Sequence, residues 1–132
     1  MQFVDSVHDI DYDALEATEL LFDYDGTLAR GSQPPSKEVL TLLEELSKRY
    51  TVRVFSNNWV YAKRREELFR TKNIAYVRTH KPFGSEEIRS DAVLIGDKIL
   101  TDGLYAYRRG IQIIFIRSYK TWLLEQMHKL LA

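Results

Sequence analysis

Two aspartates separated by one residue, Asp23 and Asp25, are the residues of this sequence best suited to chemistry. They follow an apolar run over residues 20–22 that has the length and composition of a buried strand, and Gly26 allows a sharp turn after them. If both residues continue the two-residue period of that strand, their carboxylates leave the sheet on the same face. Two such carboxylates repel each other unless a cation lies between them. The spacing therefore predicts a hard divalent metal, magnesium, and a reaction on an anionic substrate.

The same residues also fit a simpler interpretation, an acidic turn after a strand, because Asp and Gly are common in turns. The later predicted strands, however, also end in polar groups: Ser56 after residues 51–55, Lys81 after residues 74–77 and Asp97 after residues 92–95. Each group by itself fits an ordinary strand end, loop or helix cap. Because the carboxyl ends of parallel strands meet at one edge of a sheet, we expect all of them to converge there.

The elements between these strand ends predict an α/β fold. Ser36 is the expected N-cap of a helix to about Lys48, and Gly110 is the expected stop of a helix that runs to about Arg109. The other predicted elements are helices over residues 12–17 (capped by Asp11), 60–71, 85–89 and 121–131, and a strand over residues 112–116. No structure is predicted for residues 3–10. This alternation predicts a parallel sheet of about five strands, flanked by helices, in a single domain over residues 1–132.

Composition and charge exclude several classes of protein. The 132 residues carry 19 basic and 19 acidic side chains, so the formal net charge of +0 gives no global attraction to nucleic acid or to an anionic membrane. Without cysteine there is no disulfide, thiolate metal site or cysteine nucleophile. No apolar stretch approaches the ~20 residues of a membrane span, and the acidic start lacks the features of a signal or transit peptide. We therefore expect a cytoplasmic protein for which nucleic acid is not a favoured partner.

Hydrolysis of a phosphomonoester needs the residue types found at these strand ends. The reaction requires a nucleophile, a proton donor for the leaving oxygen and positive charge on the phosphoryl oxygens. Asp23 can attack in line and form an aspartyl-phosphate, and Asp25 can protonate the leaving group and later deprotonate water. Ser56 can bind phosphoryl oxygens, and Lys81 can offset their charge.

Two further aspartates complete this hypothesis. Asp97 is expected to form the metal site with Asp23, and Asp102 is expected to orient Lys81 or a metal-bound water. A purely structural alternative stays open, because both aspartates could instead cap the following helix.

Four segments resemble the motifs of the haloacid dehalogenase superfamily of phosphatases: Asp23-Tyr-Asp25-Gly-Thr27-Leu, Ser56-Asn57-Asn58, Lys81-Pro82 and Gly96-Asp97-x-x-x-Thr101-Asp102. The resemblance spans Glu19 to about Ile116. It implies a Rossmann-like fold, Mg²⁺, Asp23 as nucleophile and Asp25 as acid/base, with the backbone carbonyl of Asp25 as the metal ligand. It also makes Thr27, Ser56 and Asn57 the expected substrate-binding residues.

A narrower resemblance concerns the phosphatidylglycerophosphate phosphatase branch of that superfamily (subfamily IIIA), found in bacteria and mitochondria. It is carried by Val7-His-Asp-Ile-Asp-Tyr-Asp, by the Ser-Asn-Asn form of the second motif and by Gly-Asp-Lys-Ile-Leu-Thr-Asp-Gly. It implies phosphatidylglycerophosphate as substrate, on the way to phosphatidylglycerol and cardiolipin. One departure is Gly26, which stands where that branch usually has asparagine.

The spacing of the motifs leaves the predicted site open. Neither the interval from Asp25 to Ser56 nor that from Ser56 to Lys81 can house a cap domain of ~50 residues. An open site admits large phosphates, such as lipid headgroups, protein side chains and nucleic-acid ends. The alternatives to a lipid phosphatase are therefore a phosphatase of protein or polynucleotide phosphates, and a catalytically silent phosphate- or partner-binding module.

Two segments raise the question of peripheral contact with a membrane surface. The last predicted helix has a broad apolar surface with Lys120 and Lys129 at its edges, for which packing on the sheet is favoured over an interfacial position. The run Lys63-Arg64-Arg65 could meet anionic headgroups, but a solvated helix face is the favoured interpretation.

Overall fold

Six parallel strands form one sheet at the centre of the molecule. The computed structural model describes residues 1–131. The strands are β1 (Gln2–Val4), β2 (Glu19–Phe22), β3 (Thr51–Ser56), β4 (Ala75–Arg78), β5 (Val93–Gly96) and β6 (Gln112–Ile116). Their order across the sheet is β1-β6-β5-β2-β3-β4, and every neighbouring pair is parallel. The predicted α/β class is confirmed, with one strand more than the five expected.

In the described residues, four α-helices cover the two faces of this sheet: α1 (Lys37–Ser47), α2 (Ala62–Arg70), α3 (Leu104–Arg109) and α4 (Trp122–Leu131). A π-helical turn, Ile99–Gly103, precedes α3. Successive strand residues point to opposite faces, so Leu20 and Phe22 pack in the core beneath α1 and α2 while Leu21 packs with α3. The strands are therefore apolar on both sides, as expected for a parallel sheet covered on both faces. As predicted, the Ser36 side chain accepts a bond from the Val39 N–H (3.2 Å) and caps α1.

The connections place a change of winding direction beside β2. From β2 the chain passes through α1 to β3 and through α2 to β4, which lie on one side of β2. It then crosses to β5 and β6 on the other side, so the crevice between the carboxyl ends of β2 and β5 is a topological switch point. Within residues 1–131, the intervals from Asp25 to Ser56 and from Ser56 to Lys81 each hold one α-helix and one strand, and the interval from Lys81 to Asp97 holds a loop and β5.

The predicted helix over residues 85–89 is wrong, because this segment has no regular structure. Arginine side chains from elsewhere bind its backbone carbonyls instead. Arg53 donates to the Glu87 carbonyl (2.6 Å), Arg109 donates to the Glu86 carbonyl (2.5 Å), and Arg108 contacts the Gly84 carbonyl. These tertiary bonds replace the bonds that a helix would have made.

The predicted helix over residues 12–17 is also wrong, since only a 3-10 turn forms at Tyr12–Ala14, and Asp11 makes no capping bond. Two tyrosine hydroxyls fix the segment through its backbone. Tyr12 donates to the Val7 carbonyl and Tyr50 donates to the Tyr12 carbonyl, both at 2.7 Å. Contacts outside the segment thus determine the conformation of residues 12–17, for which the local sequence pattern had predicted a helix.

The last helix buries little of its apolar surface. In α4, Leu124 packs against the sheet and Glu125 is buried in contact with Arg117. Five of its large apolar side chains remain exposed: Trp122, Leu123, Met127, Leu130 and Leu131. The favoured prediction, that this surface packs on the sheet, is therefore wrong for most of the helix. Among the described residues, no helix has the length and apolar character needed to cross a membrane.

Candidate functional site

Three aspartates from two neighbouring strand ends form a buried cluster at the switch point. Asp23 follows β2, while Asp97 and Asp102 follow β5, and all three side chains are buried. One carboxylate oxygen from each lies within 4.8 Å of the other two. The predicted convergence of Asp23 and Asp97 is therefore confirmed. Three carboxylates this close repel one another strongly unless positive charge lies among them.

Lys81 supplies part of that charge. Its ammonium group donates to Asp23 Oδ1 (3.0 Å), to Asp102 Oδ1 (2.5 Å) and to the Phe55 carbonyl (3.0 Å), and only 1% of its side chain is exposed. Burial alone would lower the pKa of Lys81, but Asp23 and Asp102 outweigh it and raise that pKa above its usual value. These contacts favour the charged form of Lys81, and Asp102 orients it as predicted.

The loop that carries Lys81 is held by Asn57. The Asn57 side-chain oxygen accepts bonds from the Lys81 N–H (2.8 Å) and the Thr79 hydroxyl (2.7 Å), and its amide group donates to the Lys81 carbonyl (2.7 Å). Ser56 lies beside it, and its hydroxyl accepts a bond from the Asn58 N–H (3.1 Å). Asn57 thus positions the lysine, and the substrate-binding roles of Asn57 and Ser56 stay predictions.

Two side-chain oxygens of the site are buried without a hydrogen-bond partner. Among the described residues, Asp23 Oδ2 and Thr27 Oγ1 are the only such atoms. Buried polar groups in folded proteins nearly always have a partner, so an orphan beside other charged groups points to an absent ligand. Both orphans belong to residues that the sequence had assigned to the site.

The pKa of Asp23 also indicates that a cation belongs in this site. Burial, followed by the neighbouring Asp102 carboxylate, raises the pKa of Asp23, and this effect exceeds the opposite effects of Lys81 and Lys98. Burial also raises the pKa of Asp97. A divalent cation between these two carboxylates would favour their ionised forms. The donor set therefore fits a hard metal ion such as Mg²⁺.

A second lysine, Lys98, lies at the centre of the expected ligand set. Its Nζ atom is 3.2 Å from the Asp25 carbonyl oxygen, 3.3 Å from Asp97 Oδ1 and 3.8 Å from Asp23 Oδ2. These oxygens come from the three residues predicted to bind the metal. Sequence analysis gave Lys98 no role, although its position directly after Asp97 was a usable signal.

Glycine at position 26 is explained by this geometry. Gly26 has a φ of +84°, and a Cβ atom added to it would lie 2.1 Å from Asp97 Oδ2. A side chain here would displace the Asp97 carboxylate as well as strain the backbone. The position that Asp97 takes in this chain therefore requires glycine at position 26.

The Asp25 carboxylate points away from the cluster and is held by Arg65. The Arg65 guanidinium donates to Asp25 Oδ1 (3.1 Å) and Oδ2 (3.2 Å), and to the hydroxyl of Tyr76 (3.1 Å). It also lies 3.6 Å from the centre of the Tyr24 ring. The prediction from spacing that the Asp25 carboxylate shares a cation with Asp23 is therefore wrong. The reason is that β2 ends at Phe22, so its two-residue period does not continue.

Arg65 is a site residue that sequence analysis misjudged. Only 4% of its side chain is exposed, so the prediction of a solvated face, or one meeting headgroups, is wrong at this position. It lies three residues after Ala62 and four before Phe69, both buried in α2. That spacing places it on the buried face of the helix, and it was the signal available in the sequence.

The site opens beside a small recess. A cavity of about 310 Å³ is lined by Asn57, Trp59, Thr79, His80 and Lys81. A larger cavity, of about 630 Å³, lies at the amino ends of β3 and β4, away from the aspartate cluster. Tyr50, Asn73 and Ile74 contribute to its lining. Asn57 and Lys81 of the site contribute to the lining of the smaller cavity.

The Arg65 contacts predict a clear effect on stability. Arg65→Met should lower the free energy of unfolding by about 2–4 kcal/mol, because it removes a buried cation and leaves the Asp25 carboxylate without its partner. Urea unfolding followed by tryptophan fluorescence measures this change. The matched control is Arg64→Met, since Arg64 is exposed, and its effect should stay within about 0.5 kcal/mol. Equal losses in the two variants would contradict a structural role for the Arg65 contacts.

Comparison with known proteins gives one structural likeness. Models of protein families gave no match to this chain, and neither did curated proteins. The crystal structure of an uncharacterized protein from Corynebacterium glutamicum ATCC 13032 Kitasato is similar, with a TM-score of 0.52 and 18% sequence identity over 84% of this chain and 93% of that one. At this identity the likeness shows the fold alone.

Proposed function

We propose that the protein is a magnesium-dependent phosphomonoester hydrolase that forms an aspartyl-phosphate at Asp23. The observation that carries this proposal is the state of the Asp23 side chain. One of its oxygens is held by Lys81 at 3.0 Å, while the other is buried without a hydrogen-bond partner. A buried carboxylate that has one oxygen oriented by a lysine and the other left for a cation is suited to nucleophilic attack beside that cation.

The residues that would hold the metal are Asp23, through its orphaned oxygen, the backbone carbonyl of Asp25, and Asp97. When bound, Mg²⁺ would offset the charge of the carboxylates and of the phosphoryl group. Asp102 is already engaged through both oxygens, by Lys81 (2.5 Å) and by the Lys98 N–H (3.2 Å). It therefore serves as a support for the lysine.

The chain's own residues divide the reaction among them. The Asp23 carboxylate attacks phosphorus, and the bond from phosphorus to the leaving oxygen breaks. Lys81 keeps Asp23 oriented and offsets its repulsion from the phosphoryl oxygens, for which the Thr27 and Ser56 hydroxyls are the proposed partners. Asp25 is the proposed acid, which protonates the leaving oxygen, and later the proposed base, which takes a proton from the water that cleaves the aspartyl-phosphate and releases phosphate. Both of its carboxylate oxygens accept bonds from Arg65, so donating a proton requires at least one of these bonds to open.

Phosphatidylglycerophosphate is the substrate we propose, and an apolar rim around the site supports a lipid. We use "apolar rim" for the large exposed apolar side chains within the first seven residues after the ends of β3 to β6: Trp59, Val60, Phe83, Leu100, Tyr119, Trp122 and Leu123. Because these segments leave the carboxyl edge of the sheet, the rim lies on the same side as Asp23. Tryptophan, tyrosine and leucine with nearby lysines suit an interfacial position, so peripheral membrane contact is part of the proposal.

The nucleophile assignment predicts the loss of activity on substitution. Asp23→Asn should lower the Mg²⁺-dependent rate on p-nitrophenyl phosphate by more than about 10³-fold, because the amide cannot accept the phosphoryl group. Asp91→Asn is the matched control: Asp91 is exposed at the opposite edge of the sheet and should retain the rate of the unaltered protein. Equal rates for Asp23→Asn and the unaltered protein would reject the nucleophile. An unaltered protein that hydrolyses no phosphate ester, yet binds phosphate, would favour the silent binding module.

The lipid assignment predicts an order of substrates. On a panel of phosphatidylglycerophosphate in vesicles, phosphopeptides and 3′-phosphorylated oligonucleotides, the lipid should have a kcat/KM at least about tenfold above the others. Trp122→Ser with Leu123→Ser should lower the rate on the vesicles and leave the rate on p-nitrophenyl phosphate unchanged, since both side chains belong to the apolar rim. Turnover of a peptide or oligonucleotide in preference to the lipid would replace the lipid assignment with one of its alternatives.

A further inference from the structure

We propose that Lys98 is a displaceable counter-charge of the site, whose ammonium group leaves the three ligand oxygens when a divalent cation binds. This inference rests on the proposed function for the identity of the ligands. It adds that the chain carries its own competitor for the metal, and that this competitor sets the metal affinity.

Distances make the two occupants mutually exclusive. Lys98 Nζ lies 3.2 to 3.8 Å from the Asp25 carbonyl, Asp97 Oδ1 and Asp23 Oδ2, so it lies among the oxygens that would surround an ion. A magnesium ion binds its oxygen ligands at about 2.1 Å. An ammonium group and an ion cannot both lie among the same three oxygens. Lys98 must therefore move before the ion can bind.

The two lysines of the cluster differ in how firmly they are held. Lys81 makes three hydrogen bonds of 2.5 to 3.0 Å, and only 1% of its side chain is exposed. Lys98 makes longer contacts, and 36% of its side chain is exposed. Its backbone is fixed by the bond to Asp102 Oδ2 (3.2 Å), which leaves the side chain as the part that can move. Of the two, only Lys98 is placed to leave.

Formal charge gives the exchange its direction. In their ionised forms, Asp23, Asp97 and Asp102 carry three negative charges, and the two lysines carry two positive charges, so the cluster retains one negative charge. When a divalent ion takes the place of Lys98, the same carboxylates are fully neutralised by that ion and Lys81. The freed ammonium gains water at the surface. The divalent ion is therefore favoured, but it must first displace a bound group.

That displacement weakens the apparent affinity for metal. If Lys98 occupies the ligand position nine-tenths of the time, the apparent Kd for Mg²⁺ is about tenfold above the intrinsic value. Removing the ammonium should therefore tighten binding. It should also destabilise the metal-free protein, because the carboxylates lose a counter-charge, and this loss should be recovered when metal is added.

Calorimetric titration with MgCl₂ and thermal unfolding with and without MgCl₂ test the proposal. Lys98→Met should bind Mg²⁺ about tenfold more tightly than the unaltered protein, and its metal-induced rise in Tm should be larger by about 5 °C. Lys98→Arg, which keeps the charge, should stay near the unaltered protein. The matched control is Lys120→Met, an exposed lysine whose removal should leave the affinity unchanged.

The outcomes separate this inference from the proposed function. If the unaltered protein binds Mg²⁺ and Lys98→Met binds it equally or more weakly, the role of Lys98 is refuted while the metal site stands. If neither binds Mg²⁺, both the metal site and this inference fail. Should Lys98→Met not fold, the ¹⁵N signal of the Lys98 ammonium in the unaltered protein decides: MgCl₂ should change it as the group moves to solvent, and an unchanged signal would overturn the proposal.

Discussion

The ion pair between Lys81 and the aspartates is the interaction on which the rest of the site depends. Bringing three carboxylates together in a buried crevice is strongly unfavourable, and a buried cation with short contacts to Asp23 and Asp102 is what makes it possible. The strand ends bring the three carboxylates together, but they do not provide the positive charge that offsets their repulsion. The backbone of Lys81 is held in place because the Asn57 side chain bonds both its N–H and its carbonyl oxygen. A loop far along the chain thus completes a site begun by β2 and β5.

Two glycines show how little room that cluster leaves. A Cβ atom at Gly96 would lie 2.4 Å from Asp102 Oδ2, and one at Gly26 would lie 2.1 Å from Asp97 Oδ2. Gly26 also has a φ of +84°, a backbone conformation that residues other than glycine rarely adopt. These glycines are therefore part of the site, since they let two carboxylates approach the backbone closely. The arrangement of strands and helices alone does not require glycine at these two positions; the position of the carboxylates does.

The parts that the sequence predicted are those governed by local pattern and by parallel-sheet topology. Apolar strands alternating with helices fix where carboxyl ends meet, so Asp23 and Asp97 could be placed together without coordinates. Contacts between distant residues were not predictable in this way. β1 is three residues long and becomes a strand by pairing with β6, and residues 85–89 are fixed by arginines from other elements. Arg65 was partly predictable, because its spacing from Ala62 and Phe69 marks the buried face of α2.

Asp25 shows why a residue's role has to be assigned atom by atom. Its carbonyl oxygen faces Lys98 within the ligand set, while its carboxylate faces Arg65 and the Tyr24 ring on the α2 side. The proposed exchange of Lys98 for a metal ion would act on the carbonyl and leave the pair between the Asp25 carboxylate and Arg65 intact. Release of the carboxylate from Arg65 needs a different event, for which the approach of a substrate's leaving oxygen is the natural cause. In the proposed mechanism, metal binding and readiness for proton transfer would therefore be two separate rearrangements around one residue, and the first would not require the second.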